Sequence, residues 1–296
     1  MMDRLKIDSL AFLDGIPLQN GGCCIISAEW GSYDDDQRST RLLYFDGYEF
    51  EFVDIDANII SLTKLANERE FVVVSLSVDG RIFIVDRKSV WEEHLERSAV
   101  GSMTRLFSDE KEVYAVGTAG QIYRRSNGSW VEFDEQVYDP RPTIDAPQLR
   151  DITGSIETGL IAVGCFGLIL RRENARWSIL NVPTNLDLEQ IVLLKDELWV
   201  CGAHGLLMRG LDEHWTVIDS TTSDNIWGLT KYQDKIYFST SEHLYLCDDD
   251  GLVNIVDFNL NLPISLYKLA SDRDFLWSFG LTDVLRFDGI AWRKIA

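Results

Sequence analysis

Apolar residues come in short runs of four or five, separated by polar turns, along nearly the whole chain. One stretch gives Leu149 to Ile152, Leu160 to Val163, Leu168 to Arg171 and Trp177 to Leu180. The next gives Ile191 to Leu194, Leu198 to Cys201, Leu206 to Arg209 and Trp215 to Ile218. Runs of this length bounded by turn residues are strands. The turns carry suitable chemistry: Lys195-Asp196-Glu197, Gln233-Asp234-Lys235 and Asp272-Arg273-Asp274 divide the first strand of a group from its second, while Ser126-Asn127-Gly128 and Asp288-Gly289 divide the third from the fourth. No helix is expected.

The four-strand group repeats. Its clearest phrase is Val-Gly-x-x-Gly followed by a strand, a turn and a Trp: Val116-Gly117-Thr118-Ala119-Gly120 to Trp130, Val163-Gly164-Cys165-Phe166-Gly167 to Trp177, and Cys201-Gly202-Ala203-His204-Gly205 to Trp215. Fainter copies end at Phe50, at Trp91, near Val253 and at Trp292, so the ends recur about every 40 residues. A four-stranded unit of that period predicts an all-β fold: a single seven-bladed β-propeller of four-stranded antiparallel blades occupying residues 1–296 as one domain. The expected blades are 1–55, 56–97, 98–134, 148–183, 184–220, 221–258 and 259–296. The last copy reaches the C-terminus with its outer strand complete, so the ring is expected to close without strand exchange.

The phrase resembles that of bacterial seven-bladed propellers of the WD-repeat-like and photosystem II assembly-factor-like kinds. The resemblance rests on Val116-Gly117-x-x-Gly120-x-Ile122 to Trp130 and Val163-Gly164-x-x-Gly167-x-Ile169 to Trp177, and it extends over essentially the whole chain. The Gly-His and Trp-Asp dipeptides of WD repeats are missing. What the resemblance implies is a binding platform of open specificity. In its own terms the motif is architectural, with glycines for the turn and Trp130, Trp177, Trp215 and Trp292 as core anchors.

Charge changes the picture most. Lys and Arg total 28 against 48 Asp and Glu, a net charge of −20. That balance opposes binding to nucleic-acid phosphates or an anionic membrane surface and favours either simple solubility or the steering of a basic protein partner. The five cysteines (Cys23, Cys24, Cys165, Cys201 and Cys247) form no CxxC pair and sit in apolar strands. With no continuous apolar segment at the N-terminus, they lead to an expected cytoplasmic location. A monomer is expected when no partner is bound.

Two segments break the rhythm: 31–40 within the first blade, and 134–147 between the third and fourth. In an up-and-down blade both emerge on one face of the ring, and loops on a rigid scaffold are where binding resides. Tyr33, Arg38, Tyr138 and Arg141 are therefore candidate partner anchors, because Tyr and Arg are enriched at hot spots. Asp34, Asp35, Asp36 and Asp139 are the candidate steering charges.

A second candidate is a ladder of Arg124, Arg171 and Arg209 at one position of three consecutive blades, set against Tyr44, Ile84, Leu246 and Phe287 elsewhere. It would clamp an anion or pair with neighbouring acids. The four histidines share no metal-ligand spacing, so neither a metal nor a cofactor is expected. No nucleophile motif is present.

The function expected is non-enzymatic protein binding, one form being an inhibitor or immunity protein that covers a basic toxin. The alternatives are a small-molecule or saccharide site at the ring channel mouth, lined by residues such as Arg150 and Trp227, and an assembly or scaffold factor.

Overall fold

The computed structural model describes residues 7–35, 38–66, 71–86, 89–96, 101–109, 111–139, 141, 146–212, 214–248, 250–260 and 264–296. Blade 1 comprises β1 (Leu10–Pro17), β2 (Cys23–Glu29), β3 (Thr40–Phe45) and β4 (Phe50–Ile55). Blade 2 comprises β5 (Ile59–Ala66), β6 (Phe71–Ser77), β7 (Arg81–Val85) and β8 (Val90–His94). Blade 3 comprises β9 (Met103–Ser108), β10 (Val113–Gly117), β11 (Ile122–Ser126) and β12 (Ser129–Glu132). Blade 4 comprises β13 (Leu149–Ser155), β14 (Gly159–Gly164), β15 (Ile169–Glu173) and β16 (Arg176–Ile179), and blade 5 β17 (Leu188–Leu194), β18 (Glu197–Gly202), β19 (Leu207–Leu211) and β20 (His214–Ile218). Blade 6 comprises β21 (Gly228–Tyr232), β22 (Lys235–Ser239), β23 (Leu244–Cys247) and β24 (Val253–Ile255), and blade 7 β25 (Lys268–Ser271), β26 (Leu276–Phe279), β27 (Val284–Phe287) and β28 (Trp292–Lys294).

Each blade is one antiparallel sheet in sequence order. The innermost strands β1, β5, β9, β13, β17, β21 and β25 each touch the next, and β25 returns to β1. The chain is a seven-bladed propeller. Among the described residues the helical elements are single 3-10 turns.

Burial explains the strand pattern. Second strands lie between neighbouring blades and are apolar almost throughout; β10 and β26 are wholly buried. Outer strands β4, β8 and β12 are largely exposed, facing solvent on one side. Ring closure is by packing: Leu10, Phe12, Cys23 and Ile25 of blade 1 share a core with Trp277, Phe279 and Val284 of blade 7. The Phe12 amide also donates to the Leu281 carbonyl at 3.1 Å.

The Val-Gly-x-x-Gly turns do more than reverse the chain. A Cβ on Gly164 would sit 2.0 Å from the Gln148 carbonyl oxygen, and one on Gly202 2.0 Å from that of Asp187. The first glycine thus lets the turn press against the linker entering its own blade. The second glycine, at φ +70° in Gly167, faces the carbonyl of Thr184 in the linker leaving that blade.

The Trp anchors are less uniform than the repeat implies. Trp177 and Trp292 are buried, and the Trp177 indole donates to the Phe133 carbonyl of the preceding blade at 2.7 Å. Trp130 and Trp215 are half-buried against neighbouring cores, and Trp91 is 49% exposed.

Candidate functional site

Five inner strands carry a register shift near their first residues: β1 between Phe12 and Asp14, β5 between Ile59 and Ser61, β9 opposite Val116 and Gly117, β13 between Leu149 and Asp151, and β17 between Leu188 and Gln190. Each shift skips one residue, and a bulged residue is re-aimed away from the ladder. The skipped residues are Leu13, Ile60, Thr104, Arg150 and Glu189. All five line one cavity of about 400 Å³ at the channel mouth, together with Arg38, Arg105, Tyr267 and Lys268. This mouth belongs to the face that carries the 31–40 and 134–147 segments.

The residues after the bulges face inward and hold the ring together. Ser61 accepts the Leu106 amide at 2.9 Å, Asp151 the Ile191 amide at 3.0 Å, and Gln190 the Leu229 amide at 2.7 Å, each bond crossing to the next blade. Arg105 spans the channel: its guanidinium lies 2.7 Å from Asp14 of blade 1 and 3.6 Å from Asp151 of blade 4. Burial works against the charge on Arg105, but Asp14 and Asp151 outweigh it and hold its pKa above the usual value. Burial pushes the Asp151 carboxyl up, opposed by Arg105 and by backbone amides. Arg105 and Gln190 line both this cavity and a second one, of about 520 Å³, at the opposite mouth. They form a waist between two cups.

Arg38 reaches back over the first cup, donating to the Tyr33 carbonyl at 2.7 Å and the Ile59 carbonyl at 3.2 Å. Tyr33 is half-buried, edge-on to Trp30 at 5.4 Å. Asp34 and Asp35 are exposed, and Asp36 lies outside the described residues. In the second segment, Asp139 takes a bidentate bond from Arg141 at 2.8 and 2.6 Å. Those bonds draw its carboxyl down to about 2. The segment is fastened to blade 3 by the Asp139 amide on the Ala119 carbonyl and the Gly120 amide on the Pro147 carbonyl. Tyr138 is half-buried beside it. Of the loop residues, Arg38 joins the cup, whereas Tyr138, Asp139 and Arg141 do not.

Repeat arithmetic gave no sign of Phe166, which sits in the turn of blade 4. It adopts φ +59° and is 64% exposed on the same face, held there by its amide on Asp187 at 2.9 Å. An exposed aromatic in left-handed backbone is uncommon and adds an anchor to the surface around the mouth.

The Arg ladder lies elsewhere. Arg124 makes a bidentate pair with Glu112, Arg171 meets Glu173 and Asp212, and Arg209 faces Glu197 at 3.8 Å. Register adds a member: Arg286, not Phe287, stands opposite Trp277 in blade 7. Blade 7 spends one residue fewer in its turn than blades 3 to 5, which shifts the count. Arg286 donates to the Gly21 carbonyl at 2.5 Å across the closure. All five cysteines are free and buried. No helix among the described residues is long and apolar enough to cross a membrane.

No protein-family model matches the chain. Immune protein Tsi7 of Pseudomonas aeruginosa is 28% identical over 228 residues, 74% of this chain and 74% of that protein. Among solved structures, a streptogramin B lyase superposes at a TM-score of 0.77 with 12% identity, covering 98% of this chain and 95% of its own. YCF48 from Cyanidioschyzon merolae superposes at 0.72 with 13% identity, covering 94% and 95%, and has also been solved bound to a D1 peptide. At these identities the structures speak to the fold alone. They agree with the assembly-factor-like resemblance of the repeat.

Proposed function

We propose that this chain is a non-enzymatic, protein-binding propeller of the immunity type, acting as a monomer in the cytoplasm on a basic partner such as a toxin. The likeness to Tsi7 along three-quarters of both chains carries the reading. The propeller fold and the placement of Trp30, Tyr33, Arg38, Tyr138, Arg141 and Phe166 on one face support it, because aromatic and Arg side chains dominate interface energetics. The net charge of −20 supports a basic partner. Asp14, Ser61, Asp151 and Gln190 of the channel are occupied in hydrogen bonds between blades, which favours binding over catalysis.

The test is capture from a lysate of the native host at low and at high salt. One stoichiometric basic protein, retained at low salt and depleted at high salt, is expected. A partner with a neutral or acidic contact surface, or none in either buffer, contradicts the proposal.

A further inference from the structure

The first cup runs against the charge of the whole protein. Arg38, Arg105, Arg150 and Lys268 line it beside Asp14 and Glu189, so a net-positive pocket opens in a chain of net charge −20. Arg105 is committed to Asp14 and Asp151. Arg38 spends two N–H groups on carbonyls. Lys268 spends one, on the Trp227 carbonyl at 3.0 Å, and lies 4.9 Å from the centre of the Tyr267 ring. Arg150 is exposed, with Cys165, Glu189 and Asp187 nearby favouring its charge, and no carboxylate lies within salt-bridge distance of it among the described residues. The bulge in β13 aims it into the cavity.

We infer that this cup is a carboxylate-binding subsite in which the Arg150 guanidinium fork and the Lys268 ammonium receive one planar carboxylate. A fork with two parallel N–H groups and a neighbouring point charge match two coplanar oxygens. The apolar wall of Leu13, Ile26, Ile59 and Met103 lowers the local dielectric and strengthens the pairing. Glu189 on the same wall opposes a second negative charge. Within the protein-binding reading, on which the identity of the bearer rests, the carboxylate belongs to an acidic side chain or chain terminus of the partner. The partner then carries an acidic point within a basic surface, and charge register adds specificity to steering.

The experiment titrates the isolated, isotope-labelled propeller by NMR with N-acetylglutamate N-methylamide, its glutamine counterpart, N-acetylglycine and inorganic phosphate. Saturable shifts at Arg150, Tyr267 and Lys268 are expected with the glutamate probe and N-acetylglycine, and none with the glutamine probe. The tighter of the two carboxylates identifies a side-chain or a terminal source. Arg150→Gln and Lys268→Gln should each weaken binding about ten-fold, with the melting temperature of Arg150→Gln unchanged. Lys231→Gln at the opposite mouth should leave it unaltered. Equal response to glutamate and glutamine, tighter binding of phosphate, or intact affinity in Arg150→Gln overturns the inference. Salt-sensitive protein capture with no probe binding sinks the subsite alone. Probe binding with no captured protein sinks the protein-binding reading.

Discussion

Replacing Arg105 by Met is the sharpest test of the channel waist. Arg105 joins blade 3 to Asp14 of blade 1 and Asp151 of blade 4, and both carboxylates are buried. Met approximates the volume of the stem but leaves two acids facing each other without a cation. Breaking a buried pair from one side costs about 3–5 kcal/mol. With about 2.1 cal/mol/K of unfolding entropy per residue, the ring loses about 5–8 °C in Tm. The pH dependence has a fixed sign. Burial already raises the Asp151 carboxyl in the folded state, and losing Arg105 raises it further. The folded variant therefore binds protons at pH values where the unfolded chain, with Asp near 3.9, does not. Its stability falls as pH rises through that interval. The deficit should be largest at pH 7 and shrink on acidification towards about pH 5. Thermal melts followed by Trp fluorescence at the two pH values measure this. Adding Asp14→Asn and Asp151→Asn should recover most of the loss, since neutral amides need no counter-charge. An unchanged Tm, or a deficit that grows on acidification, refutes the reasoning.

Two further perturbations address the frame. Gly202→Ala places a Cβ 2.0 Å from the Asp187 carbonyl oxygen and should destabilise by more than about 1 kcal/mol, read as a lower denaturant midpoint with an unchanged slope. Trp177→Phe leaves the buried Phe133 carbonyl without its indole donor and should cost about 1–3 kcal/mol, with the loss appearing equally in near-ultraviolet dichroism and Trp fluorescence.

The blades were legible because each feature that builds them is local. Val163-Gly164-x-x-Gly167 and Trp177 mark a turn and an outer strand within one blade, and Leu149 to Leu180 fell into its four strands within a residue or three at each end. The inner strand of blade 1 is Leu10–Pro17: the Asp14-Gly15 pair looks like a turn but lies within the ladder, opposite Ile26 and Ile25, with the bulge at Leu13 just before it. The two irregular segments were legible as departures from a period, and their common face followed from up-and-down connectivity. The waist was not. Asp14 and Arg105 are 91 residues apart, and only the closed ring brings blades 1, 3 and 4 to one axis. A signal was present nonetheless: Asp14, Ser61, Arg105, Asp151 and Gln190 interrupt apolar inner strands at one blade position. The Arg ladder shows the limit of counting, since a turn shorter by one residue moved its member in blade 7 from Phe287 to Arg286.

The central claim is that the face bearing the 31–40 and 134–147 segments receives a protein partner. Hydrogen exchange on the complex with the captured partner tests it most directly. Protection should appear in peptides covering 30–40, 134–147 and 165–167, with the turns at 46–49 and 288–291 exchanging as in the free protein. Protection confined to those opposite turns, with the first three segments unaltered, would contradict the account.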